Sequence, residues 1–177
     1  MRSGSTTLAS DLAICSADIT GSTVASGGWN HYAISVKSYP SSNETLVKFY
    51  VNGDLDKQTT ISGYINEVTG ALTAHIGALQ TGTAKGGALG AGLLSASLDE
   101  FRYWKEARTS EQIGRNWWTQ VHGGTNNETA NTTLGVYYKF NEGIVQTSAA
   151  DTVGYAYDKK ILDYSGRVSN GVWVGYP

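Results

Sequence analysis

The chain has 177 residues, a net charge of −2 and a sequence pI near 5.9, so no basic stripe is available to neutralise phosphates. That excludes nucleic acid as the main partner and removes the electrostatic reason to sit on an anionic membrane. No stretch approaches the roughly 20 apolar residues of a spanning helix, residues 1–20 lack the apolar core of a signal peptide, and Cys15, the single cysteine, can form neither an intrachain disulfide nor a zinc knuckle.

Twenty-two glycines and 11 tyrosines beside only 3 phenylalanines fit a turn-rich β protein packed by aromatic rings with polar edges, and the length suits one domain spanning 1–177. Residues 1–28 are rich in Ser, Thr, Gly and Ala and hold one or two short strands, with Cys15 as a small buried residue. Trp29 to Val36 alternates Tyr32, Ile34 and Val36 against His31, Ala33 and Ser35, the period of two of a strand with distinct faces. Leu46 to Val51 is a second strand, ending at Asn52-Gly53. That dipeptide favours a type I′ turn, which needs positive φ at both central positions, so residues 54–62 return antiparallel. Leu72 to Ala78 reads as a strand and Thr81 to Gly92 as a Gly/Ala/Thr-rich surface loop.

Ser95 to Trp104 has the strongest strand pattern, with Phe101 and Tyr103 on one face and Leu98, Glu100, Arg102 and Trp104 on the other. Thr109-Ser110-Glu111-Gln112 is a capping box, and Ile113, Trp117 and Val121 follow at helical spacing, giving one short helix near 109–121. His122 to Thr133 is a polar loop, Leu134 to Phe140 a strand, and 141–160 irregular. Lys160 to Tyr164 and Gly171 to Tyr176 flank a turn at Ser165-Gly166. One helix among many short strands places the fold in the all-β class, an antiparallel β-sandwich or jelly roll.

In order along the chain, GGWNHYAISV at 27–36, KFYVNGDL at 48–55, AHIGAL at 74–79 and LDEFRYWKEARTSEQI at 98–113 resemble the second half of a laminin G-like jelly roll of the concanavalin A-like kind. LGVYYKFNEG at 134–143 and ILDYSGRVSNGVWVG at 161–175 resemble the first strands of that family, displaced to follow the helix. Two arrangements accommodate 27–121 as second half and 134–176 as first-strand motifs: a permuted domain, or an excerpt of a longer repetitive polypeptide. No strand is evident just before Trp29, which favours the excerpt. The wording of the later motifs is closest to modules of tailed-bacteriophage structural proteins. The resemblance thus implies a virion or extracellular location and other protein subunits as partners.

β-Glucanases share this fold and place paired carboxylates along one strand, roughly 5–5.5 Å apart in retaining enzymes. Asp99 and Glu100 are adjacent and would point to opposite faces of a strand, so no catalytic pair is expected. The resemblance instead implies a structural calcium at Asp99, with Asn141, Glu142 and Gly143 able to supply oxygens to a hard cation; a carboxylate that only bonds loop N–H groups is the competing reading. Asp163, Ser165 and Gly166 form a turn whose carboxylate accepts backbone donors. His31, His75 and His122 share no ligand spacing, and Gly-rich 82–92 lacks the Lys-Ser/Thr of a phosphate loop. Asn43, Asn127 and Asn131 lie in Asn-x-Thr sequons read as features of Asn/Thr-rich loops. Trp117 belongs to the helical stripe, whereas Trp118 lies off it and is the candidate sugar-stacking ring or module contact. The function expected is a non-catalytic structural or interaction module of a larger assembly, with a carbohydrate-binding module recognising surface glycans as the alternative and a glycosidase third.

Overall fold

Asn52 and Gly53 both take positive φ, 49° and 88°, and the chain reverses at them to form the hairpin that organises the N-terminal half. In this computed structural model the described residues are 2–3, 6–9, 12–26, 28–66, 74–77, 94, 96–121, 133–141 and 160–172. The chain divides into two compact units, one made of Met1–Gly70 with Glu106–Gln120, the other of Ala71–Lys105 with Val121–Pro177.

In the first unit β1 (Arg2–Ser3) pairs with β2 (Thr6–Thr7), and a helix that the sequence did not announce, α1 (Gly21–Ser26), follows. The main sheet is antiparallel, in the order β3 (Tyr32–Tyr39), β4 (Glu44–Val51), β5 (Asp54–Ser62). The first of these strands starts and ends later than the alternation from Trp29 to Val36 indicates. Asn52 fixes the start, because its Oδ1 accepts the His31 N–H at 2.8 Å and its own N–H donates to the His31 carbonyl at 2.8 Å. Pro40 fixes the end by opening a 3₁₀ turn over Pro40–Ser42, closed by Asn43 in the left-handed region.

Tyr32, Ile34 and Val36 share one face opposite Val51, Phe49 and Val47, as the alternation requires. Burial nevertheless follows the central strand. Thr45, Val47 and Phe49 are buried, while Ile34 on the edge strand is 56% exposed. On the other face Tyr50 is fully buried and exchanges a 2.8 Å hydrogen bond with Ser110, and Ser35 donates to the Arg108 carbonyl at 3.0 Å. These two bonds fasten the start of α2 (Ser110–Asn116) to the sheet. Thr109 accepts from the Gln112 N–H and Gln112 Oε1 accepts from the Thr109 N–H, so both halves of the expected capping box form. The helix stops at Asn116, leaving Val121 outside the stripe; Ile113 is buried and Trp117 half-buried. Cys15 is also half-buried rather than enclosed, in a segment where Asp56 accepts both the N–H and the hydroxyl of Ser16.

In the second unit β6 (Phe101–Trp104) pairs antiparallel with β7 (Leu134–Tyr138), and β8 (Lys160–Ile161) with β9 (Gly171–Val172). The strand expected over 95–104 is thus only four residues long. Glu100 takes φ +54°, which breaks the alternation before Phe101 and leaves Leu98 exposed. A bulge between Tyr103 and Trp104 sets Gly135 under the Tyr103 ring, where a Cβ would come within 2.9 Å of the ring. Leu134, Tyr137 and Ile161 form the buried centre.

Asp163 ties the turn after β8 to β7. One carboxylate oxygen accepts the N–H groups of Tyr137 at 3.0 Å and Ser165 at 2.8 Å; the other accepts the Ser165 hydroxyl at 2.8 Å and the Ser169 N–H at 2.9 Å. Gly166 has φ +83°, as the turn reading requires. Residues 74–77 of the strand expected at 72–78 are not in a strand. The loops expected at 81–92 and 122–132, the irregular 142–159, and 173–176 of the last strand lie outside the described residues, as do His122, Asn127 and Asn131.

Candidate functional site

Asp99 is exposed, and one of its carboxylate oxygens accepts the Glu100 N–H at 2.9 Å. That bond helps hold Glu100 in its left-handed conformation and turns the Glu100 side chain toward the interior of its unit. There its Oε2 accepts from Arg102 at 3.0 Å and from the phenol of fully buried Tyr137. The Arg102 guanidinium and the Lys139 ammonium each lie 5.4 Å from the centre of the Tyr137 ring. Burial first, and then the bond to the Glu100 carboxylate, push the Tyr137 phenol up to about 12.

This arrangement changes the chemical reading of Asp99-Glu100. The two carboxylates diverge because Glu100 leaves the strand conformation, not because they alternate along a strand. Glu100 is engaged by a guanidinium and a phenol, so it is a structural counter-charge rather than a general acid or base facing a substrate. Of the calcium candidates, Asp99 keeps one carboxylate oxygen not occupied by Glu100, Asn141 is exposed, and Glu142 and Gly143 lie outside the described residues. Among the described residues no three His, Cys, Asp or Glu side chains gather as a metal site. A calcium ion takes six to eight oxygens, which the described residues do not assemble around Asp99.

A different constellation sits at the hairpin end of the first unit. The Asn52-Gly53 turn is packed under Trp117 so closely that a Cβ on Gly53 would lie 2.3 Å from the indole Cδ1. The His31 ring lies 6.2 Å from the Trp117 ring. Asn52 donates to Asn30 Oδ1 at 2.9 Å, and Asn30 donates to the Gly28 carbonyl at 3.2 Å. Trp29 and Trp118, each the neighbour of a residue held in this network, are 73% and 70% exposed. Trp118 is thus exposed, as its place off the helical stripe indicates. Sequence spacing does not join Trp29 and Asn30 to Asn52, because Asn30 and Asn52 are 22 residues apart across a hairpin. The one local signal is an indole at the start of the alternating stretch, three residues before β3 begins at Tyr32.

Near the opposite, Pro40 end of the same sheet, Thr7, Leu8, Asn43, Ser62, Gly63, Tyr64 and Asn66 line an open recess of about 430 Å³. Among these lining residues there is no carboxylate or imidazole.

A family model described as the concanavalin A-like lectin/glucanases superfamily, Laminin_G_3, matches residues 4–114, more than half of the chain. The match extends upstream of Trp29 into the stretch in which no strand preceding it was evident. No curated protein and no solved structure matches the chain. The chain belongs to the concanavalin A-like superfamily and to its laminin G-like branch, and its antiparallel sheets with a short helix are consistent with that family's β-sandwich.

Proposed function

From this membership we propose that the chain is a non-catalytic interaction module of a larger assembly, of the kind found in virion or appendage proteins of tailed bacteriophages. Laminin G-like domains are typically binding modules, although the superfamily also contains glycosidases. The observation that carries the non-catalytic reading is the engagement of Glu100 by Arg102 and Tyr137 beside an exposed Asp99, which leaves no facing carboxylate pair at the most acidic motif. The phage association rests on the likeness of Tyr137 to Gly143 and of Asp163 to Arg167 to phage structural modules. It is tested by tagging the chain in its native polypeptide: co-purification with intact particles supports it, and recovery solely as free secreted protein overturns it.

Carbohydrate recognition is the second reading, favoured by the exposure of Trp118. A structural calcium at Asp99 and Asn141 belongs to the same proposal. Calcium chloride is expected to raise the melting temperature, and Asp99→Asn to abolish that rise; an unchanged melting temperature at millimolar calcium removes the ion from the proposal.

A further inference from the structure

We propose that the hairpin end of the first unit is a calcium-independent binding surface for neutral glycans, with Trp29 and Trp118 as stacking platforms and Asn30, Asn52 and Asp54 as the polar groups beside them. This deepens the carbohydrate reading and rests on it.

The first support is the position of the two indoles. Trp29 precedes Asn30 and His31, which are bonded to Asn52; Trp118 follows Trp117, whose ring covers Gly53 and faces His31. Both indoles therefore emerge from one end of one unit, from backbone pinned by side-chain hydrogen bonds. Their 73% and 70% exposure is costly for tryptophan, whose large apolar area is normally removed from water. The neighbouring Trp117 satisfies the packing of the helix end, so neither exposed ring is needed to close the core.

The second support is the chemistry between the rings. Sugar rings present polarised C–H groups on one face, which meet the negative face of an aromatic ring, and hydroxyls around the rim, which need donors and acceptors in the same plane. The half-buried amides of Asn30 and Asn52 are bonded to each other and to backbone, each NH2 keeping a second hydrogen, and exposed Asp54 supplies a carboxylate acceptor immediately after the turn. No Lys or Arg occurs among Gly28 to His31, Asn52 to Asp54 or Asn116 to Trp118, and the adjoining Arg115 is paired with Glu111 at 2.6 Å, so an anionic sugar meets the Asp54 carboxylate without an unpaired guanidinium in these segments. The residues of this surface all belong to the first unit and include neither Asp99 nor Asn141, the calcium candidates considered above.

The test is a titration of the full chain with cellohexaose, maltohexaose, a mannan and an acidic polygalacturonate, read by tryptophan fluorescence and calorimetry, with and without EDTA. At least one neutral probe is expected to bind, unaffected by EDTA. Trp29→Ala and Trp118→Ala are each expected to raise its Kd at least tenfold while leaving the melting temperature within about 2 °C, because both side chains are exposed. Trp29→Phe retains part of the affinity. Binding abolished by EDTA, binding only to the polygalacturonate, or binding indifferent to both Trp→Ala variants overturns this site while leaving the carbohydrate reading in place. Absence of binding to every probe overturns both, and the interaction-module reading stands without them.

Discussion

Asp163 ties together three positions of the second unit, because four donors from Tyr137, Ser165 and Ser169 converge on its two oxygens. Burial alone would raise its pKa. The N–H groups of Ser165 and Tyr137, the Ser165 hydroxyl and the Ser169 N–H outweigh that effect, and the carboxyl titrates below its ordinary value. A carboxylate held lower in the folded chain than in the unfolded one stabilises the fold above the unfolded pKa, and that contribution is lost as pH falls through the folded value. Acid denaturation followed by near-UV circular dichroism is therefore expected to steepen below about pH 4, and Asp163→Ala to weaken this dependence while costing about 1–3 kcal/mol through the orphaned Tyr137 N–H. Tyr137 acts at the other end of the scale. Its phenol is raised to about 12, so its contribution is complete below the unfolded value near 10 and is lost as pH rises through 12. Burial raises the Tyr138 phenol as well, so absorbance titration should show a late component reaching about 12 for Tyr137, and Glu100→Gln should bring the end of that component earlier by removing the carboxylate that holds the Tyr137 proton.

At the scale of elements, the Asn52-Gly53 hairpin and the C-terminal end of α2 form one device. The type I′ turn demands positive φ, which glycine adopts without strain, and Trp117 occupies the space in which any side chain at residue 53 would lie. Gly53→Ala combines backbone strain with displacement of an indole and is expected to destabilise the first unit by about 2–4 kcal/mol, measured by urea unfolding. A loss under about 0.5 kcal/mol would show that Trp117 repacks freely. The same pair of elements was legible to different degrees in the sequence. The capping box at Thr109 and the turn at Asn52-Gly53 are local chemistry, set by residues within four positions of one another. The close approach of Trp117 to Gly53 joins residues 64 apart, and no periodicity reports it. Glu100 is the reverse case. Its neighbours alternate like a strand, yet the bonds to Asp99, Arg102 and Tyr137 favour a left-handed residue, and β6 begins one position later.

For the whole molecule, membership of a superfamily that contains both lectins and glucanases fixes the architecture and leaves the chemistry to particular residues. With Glu100 engaged as a counter-charge, incubation with β-1,3- and β-1,4-glucans is expected to release no reducing ends above background. Hydrolysis sensitive to Glu100→Gln would instead make this motif catalytic. β-Strand alternation, turn dipeptides and the helix cap were enough to determine an all-β fold, because each is a local rule of backbone geometry, and the resemblance of the ordered motifs from Trp29 to Ile113 narrowed it to the laminin G-like kind. They also determined the pairing partners at Asn52-Gly53 and the Asp163 turn. Only the tertiary structure decided that Glu100 turns inward, that burial concentrates on β4, and that Trp29 joins Trp118 at one end. Those outcomes depend on which distant side chains compete for the same space and the same hydrogen-bond donors, and such competition leaves no periodic trace in the chain.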